Sequence, residues 1–141
     1  MHYQPIVEVA SGRAVRAEGL LRWRDSEREK DPLPGLVKAA EQSPIIYALE
    51  RWVVAVCFAD AARWQKGPLP GLQVNVNLSA REFDRPRFAD RLRAAVRKSG
   101  VDPSRVTLEI TETSAIDEPE RAARMLDDLK KMAFEIWLDD F

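Results

Sequence analysis

Histidine and cysteine are almost absent: the 141 residues contain one of each, His2 and Cys57. A lone imidazole next to the terminus excludes Ser-His-Asp and Cys-His mechanisms and histidine-rich metal sites, because each needs a positioned histidine. A single thiol excludes an internal disulfide framework and fits a reducing compartment, so the cytoplasm is the expected location. No apolar run approaches the ~18 residues that cross a bilayer, and the opening "MHYQPIVEV" lacks the basic flank and long apolar stretch of a secretory signal. No membrane span is expected. An excess of one charge is missing too: Lys+Arg 22 against Asp+Glu 23 leave a formal net charge of -1. Such a chain has no long-range field to gather nucleic acid, so any anion it binds must be held by locally placed groups.

What is present is a globular composition, 45% hydrophobic beside 32% charged residues, in a length that suits one domain. Tyr3 to Val9 and Ala14 to Trp23 read as two strands joined by a turn at Ser11-Gly12, a hairpin. The charged segment "RDSEREKDPL", Arg24 to Leu33, reads as a solvated loop. A short helix "LVKAAEQS" follows, and Pro44 opens a longer one in which Ile45, Leu49, Trp52, Val53 and Val56 recur at helical spacing until Gly67-Pro68. Trp52, Trp64 and Cys57 are expected to pack in the core rather than do chemistry. Then come a strand at Leu72 to Ser79, a helix ended by Gly100, a strand "RVTLEITET", a helix from Glu118 to Met132 with Met125, Leu126 and Leu129 on one side, and a last strand "AFEIWLDDF". Strands alternating with helices imply crossovers and a largely parallel sheet.

Strands covered on both faces are usually apolar throughout, so polar side chains inside them need a reason. Period-two geometry sets Gln73, Asn75, Asn77 and Ser79 against Leu72, Val74, Val76 and Leu78. It separates Thr107, Glu109 and Thr111 from Val106, Leu108 and Ile110, and Glu135, Trp137 and Asp139 from Ile136 and Leu138. In the second strand Glu18 and Arg22 share a face near the carboxyl end. Glu18, Asn77, Glu109 and Asp139 all fall at strand carboxyl ends, where barrel-like α/β folds collect their sites. Converging carboxylates repel unless cations neutralise them, and an all-oxygen set suits Mg²⁺ or Mn²⁺. Asp140, beside Asp139, could reach a second ion ~3.5–4 Å away. Two readings stay open on pattern alone: solvated strand ends or ion pairs, and a metal or phosphate site. A nucleic-acid patch built on Arg81, Arg85, Arg87, Arg91, Arg93, Arg97 and Lys98 is disfavoured, since Glu82, Asp84 and Asp90 interleave with it. No DNA partner is expected.

The blocks "YQPIV", "EGLLRW", "VNLSAREF", "LEITET" and "LDDF", in this order and at this spacing, resemble the EAL domain family of bacterial cyclic di-GMP phosphodiesterases. The resemblance spans residues 1–141. It implies an α/β fold, a TIM-like (β/α) barrel of the EAL type with an antiparallel first strand, of which this chain holds roughly the first half. It also implies hydrolysis of one phosphodiester of cyclic di-GMP to linear pGpG with two divalent metals, Mg²⁺ or Mn²⁺. By position Glu18, Asn77, Glu109, Asp139 and Asp140 resemble the metal ligands, with Glu18, Asp139 and Asp140 at the catalytic centre. Arg22 resembles the phosphate-binding arginine, Gln4 a substrate-contacting glutamine, and Glu112 the glutamate that anchors the loop after the double aspartate.

Departures from the family pattern are Gly19 in place of the signature alanine and Lys38 where proline is common. The sequence given stops at Phe141, directly after the double aspartate, before the family's catalytic lysine and later acidic ligand. The expectation is therefore a partial domain, weakly active or inactive alone, whose open sheet edge would be covered by a second copy or another chain. The alternative is a non-catalytic cyclic di-GMP-binding or dimerisation module.

Overall fold

The structure is a computed structural model that describes residues 1–22, 33–79, 85–111 and 119–139. The elements run β1 (His2–Val7), β2 (Ala14–Leu20), α1 (Leu33–Glu41), α2 (Ile45–Lys66), β3 (Gln73–Leu78), α3 (Phe88–Ser99), β4 (Val106–Thr111), α4 (Pro119–Lys131) and β5 (Glu135–Asp139). They form a 5-stranded sheet in the order β1-β2-β3-β4-β5. β1 pairs antiparallel with β2, and the remaining neighbours pair in parallel. The hairpin, the crossovers and the parallel sheet are thus all present. The charged loop expected after β2 lies, at residues 24–32, outside the described residues.

Local chemistry accounts for the element ends. The β1–β2 turn closes through the Glu8 N–H donating to Arg13 O at 2.9 Å, with Gly12 at φ +66, a left-handed value that glycine tolerates. Pro44, at φ -61, precedes α2, and the Gly67 N–H donates to Trp64 O at its far end. Gly100 ends α3 in the left-handed conformation, its N–H donating to Val96 O at 2.9 Å. β2 ends at Leu20 rather than at Trp23, so Arg22 lies beyond the strand.

The helices cover one face of the sheet. Ala17, Val74, Val76, Leu78, Val106, Leu108 and Ile110 are buried there, against Phe58, Ala61 and Ala62 of α2, Leu92 of α3 and Leu129 of α4. Met125 and Leu126 pack beside Leu129 as the α4 periodicity predicts. The α2 expectation needs correcting. The buried stripe is Ile46, Glu50, Val54, Cys57, Phe58, Ala61 and Ala62, while Ile45 is exposed and Trp52 is 48% exposed. The helix is turned by about one residue, or ~100°, which brings its small residues Cys57, Ala61 and Ala62 against the strands and leaves Trp52 outside. Trp64 does pack, edge-on to Tyr3 at 4.6 Å between ring centroids, and Cys57 is fully buried.

Gly19 of β2 faces α2 at close range: a Cβ built there falls 2.8 Å from Cys57 Sγ. Gly19→Ala is therefore expected to lower stability by ~1–3 kcal/mol through overpacking. In urea denaturation the loss should shrink when Cys57→Ala is added, since removing Sγ opens the space. An equal loss in both backgrounds would show that the two positions are not coupled.

Candidate functional site

The sheet face opposite the helices carries the polar side chains, and pairing fixes their relative heights. Gln4 is opposite Glu18, Glu18 opposite Asn75, and Asn75 opposite Thr107. One step nearer the carboxyl ends, Asn77 is opposite Glu109, and Glu109 opposite Trp137. Asp139 is opposite Thr111, one step further on. The candidate ligands thus climb across the sheet, each step being two residues or ~6.6 Å. Their sequence positions at strand ends do not reveal this stagger.

Glu18 and Asn77 meet directly, Asn77 Nδ2 donating to Glu18 Oε1 at 3.0 Å. Glu109 is 8% exposed, and its Oε1 accepts from Asn75 Nδ2 at 2.7 Å. Gln4 and Arg22 are exposed, and Arg22 Nη1 donates to Leu21 O at 2.9 Å, so the expected stacking of Arg22 over Glu18 within one strand does not occur. The strand ends before the guanidinium, which turns to the nearest carbonyl. Asp139 is placed by its backbone alone. Its side chain, and all of Glu112 and Asp140, lie outside the described residues.

A second cluster adjoins these residues on the same face, with Thr107 and Glu135 in the row of Glu18 and Asn75 and with Trp137 opposite Glu109. Arg16 Nη1 donates to Glu135 Oε2 at 2.9 Å and to Thr107 Oγ1 at 2.7 Å, and its guanidinium lies 4.5 Å from the Trp137 ring centroid. The hydrogen bond from the Arg16 guanidinium outweighs the opposing effect of burial and, with a lesser contribution from the Trp137 N–H, holds the Glu135 carboxyl below its ordinary value of 4.5. A carboxyl depressed in the folded state stabilises the fold fully above that ordinary value, and the contribution fades as pH falls through the folded value. Melting temperatures followed through the acid range should therefore drop more steeply for the wild type than for Glu135→Gln. Parallel curves would remove Glu135 as a contributor.

Two contacts and one unpaired atom are not legible as functional in the sequence. Glu50, buried at 8% exposed, accepts from the Ser79 N–H at 2.8 Å and so ties α2 to the carboxyl end of β3, next to Asn77. Its signal was a lone charge on an otherwise apolar helix stripe. Tyr3 donates its hydroxyl to Asp60 Oδ2 at 2.7 Å. Burial raises the Tyr3 hydroxyl's pKa and pushes the Cys57 thiol up to about 11, so both stay protonated. The third is Asn75, fully buried, whose Oδ1 has no hydrogen-bond partner among the described residues. A buried acceptor left unmade costs ~1–3 kcal/mol.

Glu18, Asn77 and Glu109 offer only carboxylate and amide oxygens, the donors that hard divalent cations take. The orphaned Asn75 Oδ1 beside them marks a face built for a polar occupant. Among the described residues no three acidic, histidine or cysteine side chains converge on one point. The donor chemistry fits a divalent cation to which Glu18, Asn77 and Glu109 would each contribute one oxygen from its own strand.

Helices on one face of a mixed sheet and oxygen donors at the carboxyl ends of its strands on the other define a class, the TIM-like α/β barrel domain. The sequence matches the EAL domain family over residues 1–141, and the chain belongs to that family. It is 35% identical over 141 residues to an uncharacterized signaling protein of Caulobacter vibrioides, covering 100% of this chain and 17% of that protein. A solved structure described as the PaMucR phosphodiesterase in complex with c-di-GMP superposes with a TM-score of 0.90 at 30% identity, over 99% of this chain and 57% of that one. A calcium and cyclic di-GMP complex of BlrP1 from Klebsiella pneumoniae gives 0.76 at 26% identity, over 99% and 34%. The chain therefore spans about half, or less, of the proteins it matches. Among the described residues no helix is long and apolar enough to cross a membrane.

Proposed function

We propose that the polar face of this sheet is one wall of a divalent-metal-dependent site at which the intact protein hydrolyses one phosphodiester bond of cyclic di-GMP, giving linear pGpG. The observation that carries the proposal is the placement of Glu18, Asn77 and Glu109 on one face at the carboxyl ends of β2, β3 and β4 in a chain of the EAL domain family. Its relatives include a phosphodiesterase solved with c-di-GMP and a protein solved with calcium and cyclic di-GMP.

Glu18, Asn77, Glu109, Asp139 and Asp140 would hold Mg²⁺ or Mn²⁺. Bound cations supply a strong nucleophile at neutral pH and neutralise charge on the phosphoryl group. Arg22, exposed just past β2, is free to swing from the Leu21 carbonyl onto phosphate oxygens, which its planar fork matches. Gln4, across from Glu18 on β1, would contact the substrate from the sheet's edge, and Glu112 would anchor the loop that follows Asp140. Glu50 holds the β3 end, and so Asn77, in place through the Ser79 N–H.

The test is chromatography of cyclic di-GMP incubated with the intact protein and Mn²⁺. Formation of pGpG that stops on chelation supports hydrolysis. Retained nucleotide binding without product would replace it with the receptor reading, in which the same face binds without cutting.

A further inference from the structure

Asn75 is not among the proposed ligands, yet it lies between Glu18 and Glu109. On β3 its Cα pairs with Glu18 on one side and Thr107 on the other, and its side chain is fully buried. It reaches one step up the sheet, diagonally, to donate from Nδ2 to Glu109 Oε1 at 2.7 Å. A carboxylate only accepts, so the amide must turn its nitrogen toward Glu109, which fixes the orientation of the group. Asn77 makes the mirror contact, diagonally down to Glu18 Oε1 at 3.0 Å. Two asparagines two residues apart on one strand thus each take one of the flanking glutamates.

We infer that Asn75 is a positioning residue for the cation site, its amide fixing the Glu109 carboxylate in the orientation from which that group donates to a divalent ion. The inference rests on the phosphodiesterase reading above. The choice of an amide matters. Glu135, in the same row as Asn75 but two strands away, is matched by the full positive charge of Arg16. The Asn75 N–H restrains Glu109 without bringing a charge of its own. A hydrogen-bond donor that orients a ligand in this way governs metal affinity more than it governs stability.

The experiment is calorimetric titration of Mn²⁺ into the intact, chelator-stripped protein, beside its melting temperature without metal. Asn75→Ala leaves a gap and Asn75→Leu refills it, so the two should differ in melting temperature. Both should bind Mn²⁺ about 10- to 100-fold more weakly than wild type, and neither should weaken it further in a Glu109→Gln background. Should Asn75→Ala not fold, Asn75→Leu alone carries the comparison. Wild-type Mn²⁺ affinity in the Leu variant, or a loss that persists on Glu109→Gln, overturns the positioning role and leaves the phosphodiesterase reading intact. A wild-type protein that takes up no Mn²⁺ overturns both.

Discussion

Glu18→Ala in the intact protein is expected to reduce turnover of cyclic di-GMP by more than about 100-fold while barely moving the melting temperature. The first half follows from position. Groups that only orient a ligand are worth about 10- to 100-fold in affinity or activity, and Glu18 is proposed as a ligand itself. The second half follows from its surroundings. Glu18 is only half-buried and its contact with Asn77 is exposed, and substitutions in such settings usually stay within ~0.5 kcal/mol of wild type. Rates measured by product chromatography, with Glu135→Gln as a control in the same row of the face but three strands away, separate the site from the rest of the sheet. Turnover retained in Glu18→Ala, or lost equally in Glu135→Gln, would remove the assignment of chemistry to Glu18.

Phe58→Ala should have the largest effect on stability, about 3–5 kcal/mol. The side chain is 0% exposed, stacks on Phe134 at 5.9 Å between centroids, and comes from the helix that packs on β3. Removing the ring takes away its burial and leaves a void that Ala61 and Ala62, being small, cannot fill. Urea denaturation should show the midpoint falling steeply, with Trp52→Ala, on the exposed side of the same helix, nearly unchanged. A larger loss at Trp52 than at Phe58 would mean that the helix packs through the face its apolar periodicity first suggests.

That contrast shows where the sequence is readable and where it is not. Strand alternation is a period of two with no ambiguity, so the division of Asn75, Asn77, Thr107 and Glu109 from Val74, Val76, Leu108 and Ile110 could be read directly and is what the structure shows. Helix α2 is apolar nearly all round, and periodicity cannot choose between Ile45 and Ile46 as its anchor. The choice is made by Cys57, Ala61 and Ala62, whose small size permits close approach to the sheet. The vertical stagger of Glu18, Asn77 and Glu109 depends on strand register, a tertiary property that no single strand encodes. Arg22 was placed on the strand because apolar residues continue past Leu20, whereas pairing stops there. The two asparagines of β3 look equivalent in sequence, and only the diagonal contacts assign one to Glu18 and the other to Glu109.

The most direct test of the account is a calorimetric titration of cyclic di-GMP into the intact protein loaded with Ca²⁺, repeated after chelation and with Glu18→Ala. The prediction is saturable binding with Ca²⁺ that weakens sharply on chelation and in the variant. Binding that is indifferent to both, or no binding at all, would contradict a cation-dependent nucleotide site on the polar face of this sheet.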